Sequence, residues 1–161
     1  MFLDRNIMRG VSIELVKEKV LNRVKLNTGL LIDGENVGAK KVASIMNAVK
    51  SQGNLFEGKV YGRQKDIRTR KWSEKAREFG ISDIRLYGGP EKNKVDNKIK
   101  KDARRLIHQH KNIDIVCIAT SDSDYVDIIR ELRSMGKRVV VIGEKQASAS
   151  LRTSCNQFVE I

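Results

Sequence analysis

From residue 28 onward the chain alternates between two patterns. Short apolar runs fall at 30–32, 59–61, 84–87, 115–119, 139–142 and 158–161, and segments with helical spacing lie between them near 40–51, 69–79, 95–109, 125–135 and 147–154. Strands alternating with helices of this length pair in parallel, because a parallel pair needs a crossover of a dozen or more residues and a helix supplies it. The runs IDIVCIAT and RVVVIG are apolar with little alternation, as strands covered on both faces must be. The expected fold is therefore α/β, with helices on both faces of a mostly parallel central sheet. Gly53, Gly80 and Gly136 each follow a helical segment, where C-terminal caps commonly place glycine.

Ahead of this pattern, Ile13, Val16, Val20 and Val24 recur at helical spacing, Ser12 is placed to cap them, and Asn27-Thr28-Gly29 breaks the series. Residues 1–27 read as an N-terminal helical extension and 28–161 as the main domain. The apolar stripe of the extension must pack on something, either this domain or a second copy in a homodimer. A length of 161 residues with 40% hydrophobic content suits one domain with a sizeable core and excludes disorder for most of the chain. No stretch approaches the roughly 18 apolar residues of a spanning helix. The opening MFLDRNIMRG carries charge where a secretory signal would begin its apolar core. Cys117 and Cys155 are too few for a disulfide scaffold, and Cys117 lies in an apolar run as a buried thiol would. The expected setting is cytoplasmic and reducing. The net charge of +12 points to a polyanionic partner held through its phosphates.

Open parallel sheets bind ligands at the carboxyl ends of their strands, and this chain puts acids there. The first strand runs into Asp33-Gly34-Glu35-Asn36, and the strand over 113–120 runs into Ser121-Asp122-Ser123-Asp124. The strand over 84–87 leads through Gly88-Gly89-Pro90 to a helix whose first turn holds Asp96. Each acid has an ordinary structural use: Asp33 in a turn, Asp124 as the N-cap of a helix beginning at Tyr125, Asp96 beside a helix N-terminus. Their convergence on one edge is harder to explain that way, since clustered carboxylates repel unless a cation neutralises them. Oxygen donors without His or Cys suit a hard ion, Mg²⁺ or Mn²⁺, which polarises phosphoryl oxygens and activates water. Asp102 comes six residues after Asp96, about 120° around the helix, at the edge of such a pocket or behind it.

The segments LLIDGEN, NKVDNKIKKDARRLI and CIATSDSDYVDIIRELRSMGKRVVVIG together resemble the NYN domain family of PIN-like nucleases, which includes the bacterial LabA-like proteins. The resemblance spans about residues 28–161. It implies a PIN-like, Rossmannoid three-layer sandwich and a metal-dependent ribonuclease. By position, Asp33 matches the family's first-strand aspartate and Asn36 the asparagine three residues later. Asn93 and Asp96 match its Asn-x-x-Asp pattern, Asp102 a second acid on that helix, and Asp122 and Asp124 the paired aspartates of its Gly-Asp-Ser-Asp turn. This chain has Ser121 where the family usually has glycine, and a helix after Asp96 that is more charged than usual.

The expected metal ligands are Asp33, Asp96, Asp122 and Asp124, with Asn36 orienting water or a ligand carboxylate. Residues 59–80 and 92–111 concentrate lysine and arginine. The second patch adjoins the acids, so Lys94, Lys98 and Lys101, with Arg63 after the second strand, are the expected RNA contacts. The ordinary alternative is a solvated helix face. Trp72 stands among basic residues, which suits base stacking. However, it shares helical spacing with Ala76 and Phe79, which favours a core position. Two rivals keep the same charge pattern. One is a non-catalytic RNA-binding module. The other is a Toprim-type phosphotransfer enzyme, which would need a catalytic Glu ending the first strand, where this chain has Asp33.

Overall fold

The computed structural model describes residues 26–89, 91 and 93–161. The helical extension, its Ser12 cap and a homodimer built through it fall on residues 1–25, outside the described residues. The element order is β1 (Asn27–Asp33), α1 (Val42–Gln52), β2 (Asn54–Arg63), α2 (Ile67–Phe79), β3 (Ser82–Leu86), α3 (Lys94–Gln109), β4 (Ile113–Ala119), α4 (Val126–Ser134), β5 (Arg138–Gly143), α5 (Ala149–Ser154) and β6 (Gln157–Glu160), with 3-10 turns at Ala39–Lys41 and Ser123–Tyr125. The six strands form one sheet in the order β3-β2-β1-β4-β5-β6. Every pairing is parallel, so "mostly parallel" was too cautious for the described residues.

The central strands alternate, but both of their faces are buried. Leu30, Ile32, Cys117 and Ile142 pack with Ile45 and Val49 of α1 and Trp72 of α2 on one face. Leu31, Ile118 and Val141 pack with Ile99 and Leu106 of α3, Ile128 and Leu132 of α4 and Leu151 of α5 on the other. Each such aliphatic side chain contributes about 1.5–3 kcal/mol by leaving water. Trp72 is fully buried and its Nε1 donates to the Val37 carbonyl at 2.8 Å. It is therefore core, and the stacking reading fails. Cys117 is buried as expected.

The strands extend beyond their apolar runs. β2 begins at Asn54 rather than 59: its first half is partly exposed, and Glu57 and Gly58 separate Leu55 and Phe56 from the apolar residues that follow. An apolar count does not register such a strand. α2 starts behind Asp66, whose side chain accepts from the Arg68 amide, and stops at Gly80, whose φ of 69° is left-handed. Among the other two expected caps, Gly136 is also left-handed, whereas Gly53 is extended. Two ion pairs bolt α3 to α4. Arg104 grips Glu131 through two bonds of 2.9 and 2.8 Å, and Lys100 meets Asp127 at 3.1 Å.

This order reverses at β1. Successive strands run outward from it through β2 to β3 on one side, and from β4 to β6 on the other. The segment after β1 leads to α1 on one face, and the segment after β4 leads to α4 on the other. A crevice opens where the two segments part, at the carboxyl end of the sheet.

Candidate active site

Asp33, Asn36, Asp96, Asp122 and Asp124 line one cleft of about 300 Å³ at this crevice, together with Glu35, Arg68, Asn93 and Val95. Three chain segments therefore deliver carboxylates to one place: the end of β1, the first turn of α3 and the turn after β4. Among the described residues, none of these four aspartates has an ion-pair partner. Glu35 in the same cleft does, with Arg63, and so do acids elsewhere in the molecule, including Asp66, Asp83, Asp102, Asp127 and Glu131.

Asp33 ends β1 and is only 6% exposed. The Tyr125 hydroxyl donates to its Oδ2 at 3.0 Å and the Glu35 amide to its Oδ1 at 3.3 Å. Burial pushes its pKa up to about 6, against the opposing pull of these hydrogen bonds. The following residue must be glycine on packing grounds. The Gly34 amide bonds the Tyr61 carbonyl at 2.9 Å, and a Cβ there would stand 2.7 Å from that carbonyl oxygen and 3.1 Å from Trp72 Cδ1.

The buried Tyr125 phenol has its pKa driven upward by burial, then by Asp33, Asp96 and Asp122, so it stays a hydrogen-bond donor. The Asp96 carboxyl is likewise raised by burial and by neighbouring Asp124, while the Asn97 amide and Lys100 oppose the shift. Negative charge thus converges on the cleft from both sides.

Asn36 joins the two segments of the crevice. Its Oδ1 accepts from the Ser121 amide at 2.7 Å and from Thr120 Oγ1 at 3.4 Å, and Thr120 Oγ1 in turn accepts from the Asp122 amide at 3.1 Å. Asp122, rather than Asp124, is the cap of this region: its Oδ1 accepts from the Asp124 amide at 2.9 Å and opens the 3-10 turn. A single helix beginning at Tyr125 with Asp124 as its cap is replaced by that turn followed by α4, because the short side chain of Asp122 already satisfies the first free amide. Ser121 carries no strain, since no described residue other than glycine has positive φ, and its hydroxyl accepts from the Glu144 amide at 2.8 Å.

Asp102 lies outside the cleft. It accepts from the Tyr61 hydroxyl at 2.9 Å and from Lys98 Nζ at 2.9 Å. Lys98, expected to meet RNA, spends its charge inside the molecule. Lys100 and Arg104 do the same with α4, so much of the second basic patch is structural. Lys94 donates to the Tyr87 carbonyl, and Lys101 is exposed. Arg63 is fixed by Glu35, whose Oε1 accepts from the Arg63 Nε at 2.7 Å and its backbone amide at 3.0 Å. Arg63 was among the expected RNA contacts, whereas Glu35 as its partner, the Tyr125 hydroxyl and Arg68 were absent from the sequence expectations for the site. A sequence signal existed only for Glu35, two residues from Asp33.

The donor set suits a hard divalent ion: oxygens only, several carboxylates, and no cation paired with them among the described residues. No three acidic, His or Cys side chains among the described residues stand close enough to hold one ion by themselves. That fits Mg²⁺, which commonly keeps several waters and takes one or two carboxylates plus substrate phosphate.

The NYN domain model matches residues 27–161. Proteins with this domain share a PIN-like nuclease fold and are generally nucleases. An uncharacterized protein of Methanocaldococcus jannaschii, MJ0482, is 27% identical over 159 residues, and the alignment covers 92% of this chain and 63% of that protein. Among solved structures, an oxidoreductase from Sinorhizobium meliloti aligns at 16% identity with a TM-score of 0.47, over 84% of this chain and 36% of its own. GenD2 from gentamicin A biosynthesis, in complex with NAD, aligns at 16% identity with a TM-score of 0.40, over 86% and 35%. This chain therefore spans less than two thirds of each of these proteins, and the two structural likenesses carry nothing about function. No described helix is long and apolar enough to cross a membrane.

Proposed function

The chain belongs to the NYN domain family, and from that premise we propose that it is a metal-dependent ribonuclease that hydrolyses RNA phosphodiester bonds. One observation carries the reading: four aspartates without ion-pair partners among the described residues share a cleft at the sheet's switch point in a chain of net charge +12. A basic surface attracts the RNA backbone, while an acidic cleft tolerates a phosphate only with a cation between them. One or two of Asp33, Asp96, Asp122 and Asp124 would hold the ion directly and the others through its water ligands. When bound, Mg²⁺ or Mn²⁺ supplies Lewis-acid polarisation of the phosphoryl oxygen and an acidified water.

The chain's own residues then have separate tasks. Asp33, charged above about pH 6, provides a fixed anionic oxygen, and Tyr125 holds its orientation through Oδ2. Asn36 fixes the β4 turn, and with it Asp122 and Asp124, against the end of β1. Attack of water on phosphorus with the 3′ oxygen as leaving group, which takes up a proton, leaves a 5′-phosphate and a 3′-hydroxyl.

The test is cleavage of labelled single-stranded and structured RNAs with Mg²⁺ or Mn²⁺, with EDTA, and with Asp33→Asn and Asp122→Asn. The expected result is cleavage that disappears in EDTA and in both variants. A 2′,3′-cyclic phosphate product would refute the water mechanism. RNA binding with no cleavage by the wild type in either metal would refute the enzyme and leave an RNA-binding module.

A further inference from the structure

Beside the acidic cleft lies a second hollow of about 480 Å³, between residues 63–66 after β2 and 86–89 after β3. Tyr87 stands at its rim and is 71% exposed. A lone exposed aromatic means little by itself, but three features set this one apart. First, the hollow is held open by its own backbone: the Gln64 amide bonds the Leu86 carbonyl at 3.0 Å, and a Cβ added at Gly89 would meet nothing within 4 Å. Second, it shares a wall with the acidic cleft, because Glu35 lines the cleft, Arg63 lines the hollow, and the two side chains are joined at 2.7 Å. Third, basic residues border the hollow, with Asp66 the one acid among the described residues lining it. Arg63 and Lys65 line the hollow, and Lys94, two residues before Asp96, holds the Tyr87 carbonyl.

We propose that this hollow is a subsite for one unpaired nucleobase of a single-stranded RNA, stacked on the Tyr87 ring next to the nucleotide whose phosphate enters the acidic cleft. The proposal rests on the ribonuclease reading and adds the form of the substrate. An aromatic face in a positively charged groove accepts any base, and it needs that base unstacked from a duplex. Arg63 and Lys65 are placed for the flanking phosphates. Gln64 and Asp66 offer polar groups to the base edge. In a duplex the bases are paired and stacked, so this hollow discriminates against it.

The test is binding in EDTA, where cleavage plays no part, of fluorescent single-stranded RNAs of about eight nucleotides in which one abasic site is moved along the strand. For the wild type, one position should weaken binding by about 5- to 150-fold, the equivalent of one stacked base. Tyr87→Ala should weaken the intact strand by a similar factor and be insensitive to the abasic site at that position. Tyr87→Phe should restore both. The exposure of Tyr87 makes unfolding of these variants an unneeded explanation, and a thermal melt confirms it. If the wild type binds single strands but Tyr87→Ala costs nothing at any position, the subsite is wrong and the nuclease reading stands. Duplex RNA bound as tightly as single strand also refutes the subsite. If the wild type binds no RNA in EDTA, the subsite falls, and cleavage with Mg²⁺ or Mn²⁺ decides the nuclease reading separately.

Discussion

Two aspartates in this molecule are nearly equal in burial and opposite in electrostatics. Asp33 is 6% exposed and Asp102 is 5% exposed, and each accepts a hydrogen bond from a buried tyrosine, Tyr125 in one case and Tyr61 in the other. Burial raises both carboxyl pKa values. At Asp102 the hydrogen bonds from Lys98 and Tyr61 and the charge of Lys98 outweigh burial and bring the value below the ordinary range. At Asp33 the carboxyl lies deeper among protein atoms, burial weighs more, and the hydrogen bonds from Tyr125 and the Glu35 and Asn36 amides do not offset it, so the value climbs to about 6. A chain that supplies a lysine one helical turn from Asp102 leaves Asp33 without one. The difference separates a carboxylate that holds the fold together from one kept available for a ligand.

The largest contrast should appear in catalysis. Asp33→Asn removes a ligand charge and should lower the metal-dependent cleavage rate by at least about a hundredfold. Asp102→Asn should leave the rate within a few-fold, as initial rates on one RNA substrate at saturating Mn²⁺ will show. Equal losses in both variants would erase the distinction.

The second contrast is in stability, measured by urea unfolding in EDTA. Because the folded pKa of Asp33 lies above its ordinary 3.8, the folded state favours the protonated form. The penalty is absent below about pH 4, grows as pH rises, and is complete above about pH 6. Asp33→Asn should therefore stabilise the protein by up to about 3 kcal/mol at pH 7, with the gain vanishing at pH 4. A variant less stable than wild type at pH 7 would contradict this.

Asp102→Ala should act with the opposite sign. It strands the Tyr61 hydroxyl in the core and should cost about 1–3 kcal/mol at pH 7. The lowered pKa places the stabilisation from Asp102 above its ordinary value and removes it as pH falls through the folded one. The destabilisation should therefore shrink in strong acid.

The smallest effect concerns Tyr125→Phe, which deletes the donor to Asp33 while keeping the ring. Its loss should cost about 1 kcal/mol of stability. It should also raise the Asp33 pKa further, moving the acid limb of the metal-dependent activity to higher pH. An unmoved limb in a pH–rate profile would show that Asp33 does not set it.

The layers of the fold were legible because both faces of β4 and β5 are apolar and because helix-length crossovers dictate parallel pairing. The ends of elements were less legible. The first half of β2 is partly exposed and its apolar residues are interrupted at Glu57 and Gly58, and the 3-10 turn at Ser123–Tyr125 intrudes because Asp122 caps it. Within the site, the carboxylates could be read from their position after apolar runs. The hydrogen bonds from Tyr125 to Asp33 and from Ser121 to Asn36 could not, since they join residues 92 and 85 positions apart. The ion pairs of α3 were hidden for the same reason: the partners of Lys100 and Arg104 lie on another helix, and only the folded chain brings them together.

The pairing of β1 with β4, in which Asn27 meets Ile113, also sets when the site can exist. A protein made from its N-terminus lays down β1, α1, β2, α2 and β3 before the strand that completes the crevice is synthesised. A chain halted at Asn112 would carry Asp33 and Asp96 but neither Asp122 nor Tyr125, and should neither cleave RNA nor show stabilisation by Mn²⁺ in a thermal melt. Strand pairings of such long sequence separation form slowly. For the ribonuclease proposed above, the topology would act as a safeguard during synthesis: an unfinished chain on a ribosome, surrounded by RNA, would not yet be armed.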